Sequence, residues 1–309
     1  MLKVHLGSLM FALIFGLTFM FSKVVLDAIT PMALIAYRFL WAIIGMETLR
    51  RLKIIRIRFD RRFIKPVGTV IIFQPILYFL FEIYGLNLIA SAEAGMMIAL
   101  IPVFVAIFSA LILKESPSLI QVGFILLSVA GILLIQLADL RGGNLLGFGL
   151  MLLAVMSASA FNIASRSASK VLNPAEITYF MMLTGALTFN SFYVSQLILE
   201  NRLADYFLNL TLSTVLWPLL YLGFVASIGG FFLVNFALKH LPAHVSSIYA
   251  NLATVVSLIA GAIVLDEVLV LNQYIGSIMI LIGVYGTVFY GRRPKRAVIN
   301  GRLSSDGRH

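Results

Sequence analysis

Long apolar runs, separated by short polar or basic stretches, follow one another along the whole of this chain. They occupy residues 5–25, 31–49, 67–87, 94–113, 118–137, 147–166, 174–197, 214–236, 243–264 and 270–290. About 20 residues at a rise of about 1.5 Å each carry a helix across a hydrocarbon core of about 30 Å. The runs are too long and unbroken for the alternating strands of a membrane barrel. Thr30-Pro31, Ser116-Pro117 and Asn173-Pro174 each set a capping side chain before a Pro, which predicts helix starts there. The pattern predicts an all-α integral membrane protein with ten transmembrane helices.

Composition removes the alternative. The 309 residues are 61% hydrophobic and 12% charged, against about 25% charged in a soluble domain. Mean hydropathy is +1.02, and a water-soluble globule could not keep so much apolar surface dry. The first run lacks a small-residue cleavage site before Lys23, so it reads as a retained helix.

The net charge of +10 raises nucleic acid as a partner, but its placement argues against one. Lys and Arg gather in "RRLKIIRIRFDRRFIK" (Arg50–Lys65) and "RRPKR" (Arg292–Arg296), beside apolar runs, as juxtamembrane loops facing anionic lipid do. The ten-span reading puts nineteen Lys and Arg on one face and three on the other, with Arg38 inside a span. The positive-inside rule then predicts a multi-pass inner-membrane protein with both termini cytoplasmic. Residues 292–309 become a basic cytoplasmic tail.

The chain also repeats itself. "ALILKESPSLIQ" (Ala110–Gln121) returns as "AIVLDEVLVLNQ" (Ala262–Gln273), and at the same offset of 152 Phe79 meets Phe231, Leu86 meets Leu238 and Gly131 meets Gly283. Earlier the offset is 143, pairing Pro31 with Pro174, Ser22 with Ser165 and Lys23 with Arg166. This divides the chain into residues 1–138 and 139–291, each a five-helix unit. Five is odd, so the second unit enters the membrane from the opposite face. Glu115 and Glu267 then end matching helices on opposite sides, and Lys114 gives way to Asp266 where Lys is disfavoured. Inverted repeats of this kind are a common construction of secondary transporters.

Three stretches resemble the EamA domain of the drug/metabolite transporter superfamily. They are "FGLTFMFSKVVLDAITPMALIAYRF" (Phe15–Phe39), "YGLNLIASAEAGMMIALIPVFVAIFSALILKES" (Tyr84–Ser116) and "FALKHLPAHVSSIYANLATVVSLIAGAIVLDE" (Phe236–Glu267). The resemblance covers about residues 7–290 as two EamA domains. It departs at Phe15-Gly16, where the family often has Trp-Gly, and at Thr254, where it often has Pro. It implies export of amino acids, metabolites or drugs, with sugar-phosphate and nucleotide-sugar carriers as relatives.

Arg38 and Glu82 are the most informative candidates. By run position they lie about 10 Å and about 7–8 Å deep, where ionisable groups are costly and face protein or a water-filled interior. They read either as an ion pair stapling two helices, or with Glu82 as a proton carrier or binder of a substrate ammonium. Lys23 and Arg166 read as snorkelling anchors. Asn162, Asn235, Asn251 and Gln74 join the candidate substrate pathway, because an amide in hydrocarbon needs a partner, and Tyr249 joins it as a residue that could line an aromatic cavity. Against that, Ser247, Asn251, Thr254 and Ser257 form the small polar stripe of a packing surface, and Tyr37, Tyr78 and Trp41 suit core packing. Pro75 and Pro102 fall inside their runs as potential kinks.

No catalytic or metal constellation is present: there is no Cys, no HExxH, and His5, His240, His244 and His309 lack paired spacing. No cofactor is implied. "GGNLLGFG" (Gly142–Gly149) lacks the Lys-Ser/Thr of a phosphate loop. The reading is an exporter of a small organic metabolite, working as a monomer or homodimer in the lipid bilayer and driven by protons, exchange or the substrate's own gradient. Uptake or exchange is the alternative within transport, and a membrane enzyme or receptor the alternative outside it.

Overall fold

In a computed structural model, described here for residues 1–86, 88, 97–136, 144–264 and 270–291, the chain is helical throughout, with no strand among the described residues. The rods are α1 (Leu2–Leu26), α2 (Pro31–Arg51), α3 (Arg61–Glu82), α4 (Ile101–Leu113), α5 (Leu119–Gln136), α6 (Leu145–Ala168) and α7 (Pro174–Leu199). The short α8 (Asp205–Thr211) precedes α9 (Ser213–His240), α10 (Ala243–Val264) and α11 (Leu271–Gly291). Among the described residues, seven helices are long and apolar enough to cross a membrane. In hydrocarbon every backbone group must be satisfied internally, and a continuous helix does this. Asp266, Glu267, residues 292–309 and the side chain of Lys23 lie outside the described residues.

Local sequence explains the boundaries. Thr30 Oγ1 accepts from Ala33 N at 3.3 Å at the start of α2. At α7, Asn173 Oδ1 accepts from Glu176 N at 2.9 Å while Glu176 Oε2 accepts from Asn173 N at 2.8 Å, a reciprocal cap. The expected start at Ser116-Pro117 moves two residues on. Ser118 has Gln three positions later, so Ser118 Oγ accepts from Gln121 N at 3.2 Å and Gln121 Oε1 from Ser118 N at 2.9 Å. The repeated "Q" of the sequence recurs in structure, because Gln273 Oε1 accepts from Val270 N at 3.0 Å at the start of α11. Pro102 is in the first turn of α4 rather than its interior, where its missing N–H costs nothing. Pro75 does sit within α3, in a π-helical stretch, Ile72–Leu77.

Packing pairs helices from the two ends of the chain: α2 lies along α7, α5 along α11, α1 against α9 and α10, and α6 against α3 and α4. Phe39, Phe79 and Phe189 form one core cluster, with ring centroids 5.3 to 6.0 Å apart. The α5–α11 seam is close enough to demand glycine. A Cβ on Gly131 would stand 2.6 Å from Gly276 O, and one on Gly283 would stand 2.6 Å from Phe124 O. Small residues at such seams let backbones approach where no hydrophobic force draws helices together. Gly283→Leu should therefore destabilise the protein by about 1–3 kcal/mol or more, read as a lower midpoint of thermal unfolding in nanodiscs. Gly123→Leu, which meets nothing within 4 Å, should be near neutral in the same assay.

Candidate functional site

Arg38 stands midway along α2 and is 7% exposed. Its Nε donates to Ser227 Oγ of α9 at 2.7 Å, and its guanidinium carbon lies 5.9 Å from the centroid of the Phe79 ring. No Arg38–Glu82 ion pair forms among the described residues. Glu82 instead accepts from Tyr78 Oη at 2.7 Å, one helical turn back. Both sit where α2 meets α3, since Arg38 packs over Phe79, the neighbour of Tyr78. The staple expected from the sequence is replaced by two separately held, opposite charges. Ser227 was not among the sequence candidates, and a single Ser in an apolar run gives no signal for it.

Gln74, 7% exposed, falls where α3 leaves helical geometry at φ −150° and ψ 121°. Asn162 donates to Ala158 O of its own helix at 2.9 Å. Asn235 is fully buried and knits three helices: Ser165 Oγ donates to its Oδ1 at 2.7 Å, and its Nδ2 donates to Thr178 Oγ1 at 3.0 Å. Asn251 Nδ2 donates to Ser128 Oγ at 3.0 Å, joining α10 to α5. Tyr249 Oη lies 2.7 Å from His5 Nδ1 of α1. The candidates thus fall into separate groups. Arg38 and Glu82 share one, while Asn235, Asn251 and Tyr249 each tie different helices together, as buried amides and phenols in a bilayer must.

Two charged networks escaped the sequence reading. Arg166, expected as a snorkelling anchor, donates from Nε and Nη2 to Glu115 Oε1 at 3.0 and 2.8 Å. Its Nη1 also donates to Leu238 O and Lys239 O at 3.0 and 2.8 Å, and Glu115 Oε2 accepts from Ala243 N at 3.1 Å. One ion pair therefore joins the ends of α4, α6 and α9 to the start of α10. The second network holds the basic stretch between α2 and α3. Arg58 reaches the fully buried Glu176 carboxylate through Nε at 2.7 Å and Nη2 at 2.9 Å, and this pairing raises the Arg58 pKa further. Asn-Pro-x-Glu at a helix start was a readable signal for the capping role of Glu176 (its partner Arg58, 118 positions away, was not).

The long apolar rods and their charge-bearing interior define a polytopic helical membrane protein. Two stretches, residues 2–137 and 145–289, match the EamA-like transporter family. This chain belongs to that family. It is 30% identical over 286 residues to the "uncharacterized transporter YcxC" of Bacillus subtilis (strain 168), covering 92% of each chain. It is 25% identical to a "probable amino-acid metabolite efflux pump" of Salmonella typhimurium, over 95% of this chain and 97% of the other. A solved crystal structure superposes with a TM-score of 0.74 at 17% identity, covering 92% of this chain and 98% of that one. That likeness speaks to the fold.

Proposed function

We propose that this protein is a secondary exporter of a small organic metabolite, built as ten spans in two inverted five-helix halves with the substrate path between them. The observation that carries the reading is reciprocity of contacts across the halves. Asn190 Nδ2 donates to Ala36 O at 3.0 Å, and at the offset of 143 the counterpart pair is Glu47 with Tyr179, whose Oη donates to Glu47 Oε2 at 3.3 Å. On the α5–α11 seam, Gly131 against Gly276 answers Gly283 against Phe124 at the offset of 152. Two copies related by a twofold axis make such swapped pairs, and a duplicated unit with opposite orientation places that axis in the membrane plane. The double family match and the efflux name carried by relatives support export.

In this reading Arg38, Gln74, Glu82, Asn162, Asn235, Tyr249 and Asn251 belong to the path and its walls, and Glu82 is the proton-coupling group. A carboxylate that deep in a span is retained at a cost unless it works. The test is flux by the purified chain in proteoliposomes loaded with a panel of amino acids, drug-like cations and sugar phosphates. Gradient-driven flux should fail in Glu82→Gln, while substrate-for-substrate exchange at saturating concentration persists. Normal pH-dependent transport by a well-folded Glu82→Gln protein would eliminate the coupling role. For orientation, reporter fusions after Asn87 and after Arg293 should signal outside and inside respectively. Reversed signals would sink the topology and the inversion built on it.

A further inference from the structure

We propose that the stretch joining α2 to α3, residues 52–65, is a docking surface for the headgroups of anionic phospholipids. Between Arg50 and Lys65 the chain carries eight Lys and Arg and a single Asp. Three carboxylates, Glu47, Asp60 and Glu176, pair with Arg50, Arg51, Arg62 and Arg58. The other four cations, Lys53, Arg56, Arg61 and Lys65, are exposed and hold no ion pair among the described residues. Standing among them, Leu52, Ile54, Phe59 and Ile64 are 64 to 69% exposed. The backbone that presents these side chains is held. Arg58 is fastened to the buried Glu176 in the first turn of α7, and its guanidinium carbon lies 4.9 Å from the centroid of the buried Phe63 ring. Asp60 Oδ1 accepts from Arg62 N at 2.9 Å and opens the turn into α3.

Backbone, charge and apolar surface together select the partner. Residues 56–60 belong to no helix, and backbone groups without helical partners cannot enter hydrocarbon. The stretch therefore stays where water and headgroups mix. There the four apolar side chains dip to the acyl boundary, while the long Lys and Arg stems carry their charges back to the phosphates. A soluble polyanion such as a nucleic acid would answer the cations and leave Leu52, Ile54, Phe59 and Ile64 in water. A lipid without net charge would cover those four and leave the cations without counter-charge. An anionic phospholipid answers both, and each cation near such a surface is worth up to about fivefold in binding. Through Arg58 and Glu176 a headgroup bound here also braces the junction of α2, α3 and α7. The inference is independent of what the protein carries.

The chain has no Cys, so Phe59→Cys in the full chain gives one attachment point for a bimane fluorophore. The protein is placed in phosphatidylcholine nanodiscs with an equal small fraction of spin-labelled phosphatidylglycerol or spin-labelled phosphatidylcholine as quencher. Phosphatidylglycerol should quench about threefold or more above phosphatidylcholine. That excess should vanish when Lys53, Arg56, Arg61 and Lys65 are all replaced by Gln, and shrink in about 1 M salt, where the screening length falls to about 3 Å. A label at Phe207→Cys of α8, an exposed position away from the stretch, should show no such excess. Glycerol phosphate or a short oligonucleotide at matched phosphate concentration should leave the quenching unchanged. Equal quenching by the two lipids at position 59 overturns the proposal, as does an equal excess at position 207 or one that survives loss of the four charges. Displacement by the soluble phosphates would assign the cations to a soluble polyanion and overturns it as well. The four replaced side chains are exposed and unpaired, so the variant should fold; if it does not, the salt series on the labelled chain decides.

Discussion

Replacing Arg58 with Met is expected to cost about 3 kcal/mol or more of stability, and clearly more than replacing its partner Glu176 with Gln. The asymmetry follows from burial. The Glu176 side chain is fully buried, whereas that of Arg58 is 58% exposed. Removing the Arg58 side chain leaves a carboxylate in the interior with two backbone donors, Asn173 N and the N–H of position 58, and no counter-charge, and an orphaned buried charge is what makes a broken pair costly. Removing the charge of Glu176 frees an arginine that water can solvate, and a Gln keeps an acceptor for the cap. Combining the two changes should recover part of the Arg58→Met loss. Thermal unfolding of the four proteins in nanodiscs gives the comparison. Equal losses in both single variants would mean that the carboxylate is less buried than the structure has it.

The Glu115–Arg166 network should have the second-largest effect, and a functional one. The pair is only partly buried, at 25% and 22% exposure, but it carries five hydrogen bonds across four helix ends. Arg166→Gln and Glu115→Gln should each destabilise by about 1–3 kcal/mol, with a coupling energy above about 1 kcal/mol in the double-mutant cycle because the groups share one network. The end of α9 and the start of α10 should also loosen. A Cys at Ser246, a position 1% exposed, should then react faster with a membrane-impermeant thiol reagent. Additive losses and an inert Cys would show that the pair decorates the surface without fastening it.

The helix starts are written in one dimension. Capping signals at Thr30 and Asn173 are local, because each side chain meets a backbone N–H three residues on. Ser118 shows the limit even there: two serines flanking Pro117 compete, and the Gln at the right spacing decides. Arg38 and Glu82 were visible as candidates because a charge in an apolar run contradicts its surroundings. That they would be held apart, one by Ser227 and the other by Tyr78, was not visible. The first partner lies 189 positions away on another helix, and the second is a Tyr whose role no pattern distinguishes from packing. Asn251 was singled out for the same contradiction, and the structure spends its amide on Ser128.

Membrane residence, helicity and family were determined by the sequence alone. Hydropathy and period are properties of neighbours along the chain, and a bilayer leaves helices as the solution for runs of this length. Which charge meets which was decided only by the tertiary structure. The pairing of Arg166 with Glu115 and of Arg58 with Glu176, and the separation of Arg38 from Glu82, depend on how helices distant in sequence dock. In hydrocarbon that docking is governed by shape, by where glycines such as Gly131 and Gly283 let backbones close, and by which polar group finds a partner first. None of these is written in the order of apolar and polar residues.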